Sequence, residues 1–216
     1  MGGVLPADSS VSGVVTINAG AEIQEGTITI FTRGSSQTME QLTGVADAKT
    51  VIFSNGLAAE TDSLGEKKMY SLELASSTQS AVFPLPLISA ILSFTDSAYE
   101  YVAFENINGI GCHHVRTWRT FSSKPDFAYL APFSMRDIWI NTATNLPEKI
   151  AYALRPGSGA TSSTSVEVFY SKYQQIAGIK YPFAISQCLN GTPWMTISIS
   201  SASFNTGLSD STFSFQ

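Results

Sequence analysis

Charge is scarce in this chain: 13% of its 216 residues are Asp, Glu, Lys or Arg, about half the share of an ordinary soluble domain. Only 12 residues are Lys or Arg, against 17 Asp or Glu, and the bases are scattered. With no basic stripe to displace counterions from a phosphate backbone, a nucleic-acid partner is excluded. Cysteine is scarcer still. Cys112 and Cys188 are too few for a four-cysteine zinc site, and leave two alternatives open: one disulfide between neighbouring strands, or two buried free thiols. No run of 18 or more apolar residues occurs, so no membrane-spanning helix is expected. HExxH, GxSxG and P-loop patterns are missing. The one histidine pair, His113-His114, sits in a strand-like segment, where adjacent side chains point to opposite faces and cannot chelate one ion. No metal, no cofactor and no catalytic residue is therefore expected, and the chain reads as a non-enzyme.

Hydroxyls supply the polarity that charge does not. Fifty residues are Ser or Thr, side chains that suit pleated, half-buried strands better than helix interiors. Alternating patterns predict strands over 14–18, 27–32, 37–42 and 49–54, the last ending in the turn dipeptide Asn55-Gly56. Further strands are expected over 99–106, 110–121, 136–142, 149–154, 165–173, 179–189 and 193–204, with hairpins at Asn108-Gly109 and Asn190-Gly191. A short helical turn follows Ser123-Lys124-Pro125-Asp126, and 157–163 reads as a flexible connection. Asn190-Gly191-Thr192 fits a glycosylation sequon but is better explained as a turn. At roughly 150 residues per domain, the chain makes one domain, 1–216, with 1–11 a flexible lead-in.

The middle departs from this pattern. Residues 80–94, SAVFPLPLISAILSF, carry no charge, and Pro84 and Pro86 forbid a regular central strand while suiting the first turn of a helix. A short apolar helix over 85–94 is expected, buried or covering an apolar cavity. About ten or eleven antiparallel strands must close, split or curve around something. The fold class is therefore mainly β: one curved antiparallel sheet, an incomplete barrel, with short helices over or inside its concave face.

The C-terminal half carries a resemblance. Asp137-Ile138-Trp139-Ile140-Asn141-Thr142, then Leu146-Pro147-Glu148-Lys149-Ile150, is similar to the strand, corner and "LPxKI" strand of the LolA and LolB type of periplasmic lipoprotein carriers. Tyr170-Ser171-Lys172-Tyr173, Tyr181-Pro182-Phe183 and the ending Asn205-Thr206-Gly207-Leu208-Ser209-Asp210 continue it in the same order. The resemblance implies a cavity that receives acyl chains, and export to the periplasm or anchoring at the outer membrane after removal of a signal peptide. In that family an arginine of an early strand holds the helical lid. The one early arginine here, Arg33, stands beside a Gly-Ser turn and is given no such role.

The functional expectation is binding of a lipid, acyl chain or lipoprotein between the sheet and the apolar insert. Its residues are Phe83, Leu85, Leu87, Ile88, Ile91, Leu92 and Phe94 from the insert, with Trp118 and Trp139 from the strands. The expected protein is a monomer, peripheral or lipid-anchored at a membrane. The alternative is a scaffolding envelope protein whose cavity is filled by its own side chains and which binds an envelope protein partner.

Overall fold

Asn-Gly pairs set the first level of order. In the computed structural model, which describes residues 5–78, 82–155 and 162–215, Asn55-Gly56, Asn108-Gly109 and Asn190-Gly191 place both residues at positive φ. That geometry matches the right-handed twist of flanking strands and folds each pair into a two-residue hairpin. Six strands precede two helices: β1 (Asp8–Ala19), β2 (Glu22–Arg33), β3 (Gln37–Thr43), β4 (Lys49–Ser54), β5 (Leu57–Asp62), β6 (Lys67–Met69), α1 (Leu72–Thr78) and α2 (Pro84–Ser93). Seven follow: β7 (Ser97–Ile107), β8 (Ile110–Arg119), β9 (Arg136–Asn141), β10 (Pro147–Leu154), β11 (Thr164–Ile176), β12 (Ile179–Leu189) and β13 (Thr192–Phe204). A 3-10 segment, Pro125–Phe133, links β8 to β9, and another, Asp210–Phe213, closes the chain.

All thirteen strands form one sheet in the order β6-β5-β4-β3-β2-β1-β13-β12-β11-β10-β9-β8-β7. Two meanders meet where β1 pairs antiparallel with β13. The sheet is curved and not closed, and its free edges are β6 and β7. The chain passes from one edge to the other through α1 and α2, so the helices cross the opening.

Alternation puts Val11, Val15, Ile28, Ile30, Ile150, Val166, Val168, Tyr170, Tyr181, Ile185 and Ile197 on the inner face, where they join Phe83, Leu85 and Leu87 in one core. Each such side chain contributes about 1.5–3 kcal/mol by leaving water. Glycine permits the close approach of strands at two points. A Cβ on Gly13, at the irregularity between β1 and β13, would meet the Ser198 carbonyl at 2.5 Å, and one on Gly26 would meet the Thr43 carbonyl at 2.2 Å.

Thirteen strands replace the ten or eleven expected because β5 and β6 were not anticipated. Leu57-Ala58-Ala59-Glu60 lacks the β-branched run that marks a strand, and is held instead by pairing with β4 across the Asn55-Gly56 turn. Strand β1 begins at Asp8, so residues 8–11 of the expected lead-in pair with β2, and 9–11 with β13 as well. The expected flexible connection falls largely on 157–161, outside the described residues.

Candidate ligand cavity

Helix α2 divides along its length. Pro84 and Pro86 occupy the first turn, where no intrahelical donor is needed, and Phe83 leads in with extended backbone. Phe83, Leu85 and Leu87 are 1%, 2% and 6% exposed and plug the core. Ile88, Ile91 and Leu92, from the second half, instead line an open cavity of about 380 Å³. The opposite wall is sheet: Tyr99 of β7, Val115 and Thr117 of β8, and Ile138 and Ile140 of β9. Leu5, Asn145 and Pro147 complete it, so the polar lining is confined to Thr117, Asn145 and the Tyr99 hydroxyl.

At its open side the cavity reaches the free edge. Tyr99 and Tyr101 stand opposite Thr117 and Val115, and beyond an irregularity at Val102, Phe104 stands opposite His113. Tyr99, Tyr101 and Phe104 are 71%, 59% and 63% exposed. Tyr99 shares the cavity lining with Leu92, whereas Tyr101 and Phe104 pack against the His113 ring.

Phe94 and Trp118 do not line this cavity. They border an adjoining recess of about 60 Å³, together with Leu87, Ala90 and Ile91. Phe94 is fixed there by the Arg119 guanidinium, 4.1 Å from its ring centroid, and Arg119 is in turn paired with Asp96 at 2.9 Å. Trp139 lies on the other face of the sheet. Its neighbours Ile138 and Ile140 point into the cavity, so strict alternation turns Trp139 outward, where His114 stacks on it at 4.2 Å.

That outer face carries a polar network. His114 Nδ1 is 3.0 Å from Glu105 and Nε2 is 2.8 Å from Asp137, while Trp139 Nε1 donates to Glu105 at 2.7 Å. The hydrogen bonds from Trp139 and His114 hold the Glu105 carboxyl below its ordinary range. His113 Nδ1 lies 3.5 Å from the Tyr101 hydroxyl. Among the described residues neither imidazole meets a serine hydroxyl, and no group of three or more His, Cys, Asp or Glu could hold a metal ion. Cys112 and Cys188 are free. They stand on β8 and β12, with three strands between them, whereas a disulfide needs Cα atoms within about 7 Å. The two thiols are free, with Cys112 buried as expected of a free thiol and Cys188 half-buried.

Arg136, the first residue of β9, was not anticipated. It is 3% exposed, and its Nη2 donates to the carbonyls of Ser76 and Ser77, both at 2.9 Å, at the C-terminal end of α1. Nη1 donates to Phe133 and Met135, and the guanidinium lies 4.8 Å from the Tyr152 ring centroid. Burial pushes it down to about 10, which leaves it charged at neutral pH. A cation against the unpaired carbonyls of a helix C-terminus is favourable, so this one side chain ties α1 to the sheet. Arg33, by contrast, pairs with Asp210.

No sequence-family model matches the chain, and no curated protein sequence matches it. Solved structures do. A candidate outer membrane lipoprotein-sorting protein domain from Vibrio parahaemolyticus superposes with a TM-score of 0.66 at 15% identity, over 96% of this chain and 89% of that one. A DUF1329 family protein from Desulfovibrio piger gives 0.64 at 16% identity, over 97% and 90%. A LolA superfamily protein from Nitrosomonas europaea gives 0.63 at 14% identity, also over 97% and 90%. Near-complete coverage in both directions shows one shared fold: this chain folds as these three structures do, a LolA superfamily protein among them.

Proposed function

We propose that this protein is a non-catalytic carrier in the bacterial envelope that holds an acyl chain, of a lipid or a lipoprotein, between α2 and strands β7 to β9. The observation that carries the reading is the cavity of about 380 Å³ with its almost wholly apolar lining, within the ~300–1,000 Å³ range of ligand pockets. Each methylene buried there contributes about 0.8 kcal/mol. The description of the Vibrio parahaemolyticus structure as a candidate lipoprotein-sorting domain supports it. The expected setting is the periplasm or the periplasmic face of the outer membrane, and the expected working form is a monomer.

The test is titration with a fluorescent fatty acid, cis-parinaric acid, of the natural chain and of an Ile140→Trp variant that fills the cavity from the sheet side. The expected result is saturable binding that weakens at least tenfold in the variant while the melting temperature stays nearby. Equal affinity in both overturns the assignment. One observation favours the scaffolding alternative: Phe83, Leu85 and Leu87 fill the core themselves. A chain that binds no fatty acid at all is the outcome that reading predicts.

A further inference from the structure

A second cavity, of about 260 Å³, opens between β3, β4 and β10 to β12 and shares no lining residue with the first. Four aromatic side chains wall it: Phe53, Tyr70, Tyr152 and Trp194. Into this apolar setting project the carboxyl group of Glu40 and the amide of Gln187. Among the described residues, neither side chain has a hydrogen-bond partner and Glu40 joins no ion pair. A half-buried carboxylate with no partner is costly, and such groups are ordinarily paired.

The local cations are already engaged. Lys49, on the neighbouring strand, is held 2.8 Å from Asp47 and 3.8 Å from Glu60. The Tyr70 hydroxyl donates to Glu60 at 2.9 Å, and Arg136, 4.8 Å from the Tyr152 ring centroid, is engaged by the backbone carbonyls described above. Glu40 thus stands beside four aromatic rings, with Lys49 acting on it through space and no cation in contact with it among the described residues.

We propose that this second cavity binds an organic cation, an ammonium-bearing group, with Glu40 as counter-charge and the rings of Phe53, Tyr70, Tyr152 and Trp194 as walls. Its volume, below the ~300 Å³ at which pockets for drug-sized ligands begin, suits a headgroup-sized molecule rather than a long chain. An anion is repelled by Glu40 and Glu60. A neutral apolar molecule leaves Glu40 and Gln187 unpaired.

Protonation of Glu40 competes with the cation. Burial raises its carboxyl, against the opposing field of Lys49, to about 7. The other titratable groups facing the region are Glu60, Tyr70, Tyr152 and Tyr181, with Arg136 beside the Tyr152 ring. The tyrosines stay neutral because burial pushes each of them up. The binding-competent, ionised fraction is therefore nearly complete at pH 8.5 and falls about thirtyfold by pH 5.5, and apparent affinity falls with it.

The experiment is calorimetric titration of the full chain with benzyltrimethylammonium, benzenesulfonate and benzyl alcohol, at pH 8.5 and 5.5, for the natural protein and for Glu40→Gln and Trp194→Ala. The expected result is saturable binding of the ammonium probe, at least tenfold tighter than of the other two, weakened tenfold or more at pH 5.5 and by Glu40→Gln, and to a lesser degree by Trp194→Ala. Absence of ammonium binding at millimolar concentration, or a preference that survives both acid and Glu40→Gln, overturns the proposal. The pH series on the natural chain keeps the test decisive if a variant fails to fold. None of the probes carries an acyl chain, and Ile140→Trp leaves their binding unchanged, so failure here is distinct from failure of the acyl-chain reading.

Discussion

Replacing Arg136 by Met keeps much of the side-chain volume and removes the fork that ties α1 to β9. Two of its hydrogen bonds, to Ser76 and Ser77 at 2.9 Å, are contacts between the helix and the sheet, and a hydrogen bond from a charged donor contributes about 1.5–3 kcal/mol. Against the gross loss of roughly 3–6 kcal/mol stands the relief of no longer burying a charge, and its Nε is without a partner among the described residues. The net expectation is a loss of about 3 kcal/mol. For a domain of this size each kcal/mol moves the melting temperature by about 2–4 °C, so Arg136→Met should melt roughly 6–12 °C lower. Arg136→Lys keeps the charge but cannot reach both carbonyls, and should fall between the two. The assay is thermal unfolding, paired with hydrogen exchange at the amides of 72–78, which should lose protection before the strands do. An Arg136→Met protein that melts within about 2 °C of the natural chain, with those amides equally protected, refutes the clamp.

Other consequences are cheaper to check. Burial raises the Asp8 carboxyl, but hydrogen bonds from the Thr206 hydroxyl and amide and from the Gly207 and Leu208 amides overcome this and hold it below its ordinary range. Its stabilising contribution is therefore complete above the unfolded value of about 3.9 and lost as pH falls through the folded one. Asp8→Asn should cost more stability in urea at pH 7 than at pH 2.5. Gly26→Val places a Cβ 2.2 Å from the Thr43 carbonyl and should destabilise by about 1–3 kcal/mol or more in the same assay. Both thiols should react with Ellman's reagent in denatured protein without any reductant. In native protein Cys112, wholly buried and with its thiol pushed up by burial, should react far more slowly than Cys188.

Much of the architecture is written locally. Asn-Gly pairs specify three hairpins without reference to the rest of the chain, and two prolines at the head of an uncharged run announce α2. What depends on distant partners is harder to read. Strand β5 exists because β4 pairs with it. Helix α1 is seven residues long, too short to stand alone, and persists through the Ser71 hydroxyl, which accepts the Leu74 amide, and through Arg136, some 60 residues away in sequence. The candidate site shows the same limit. Ile138-Trp139-Ile140 is apolar on both faces, and alternation alone does not say which face is inner. Trp139 is 7% exposed on the outer side because His114 and Lys149 cover it. Glu40 went unremarked in the sequence, and pairing decides its face: it stands opposite Ile30 and two residues from Leu42, so alternation sets it on the inner side.

The proposed function turns on an acyl chain held between α2 and β7 to β9. Native mass spectrometry of protein purified without detergent, followed by solvent extraction and lipid identification, addresses it directly. The expected result is a stoichiometric acyl-bearing ligand that is retained by the natural chain and lost from Ile91→Glu, a variant that sets a carboxylate in the apolar wall. A clean ligand-free mass, together with no uptake of added lipid, contradicts it.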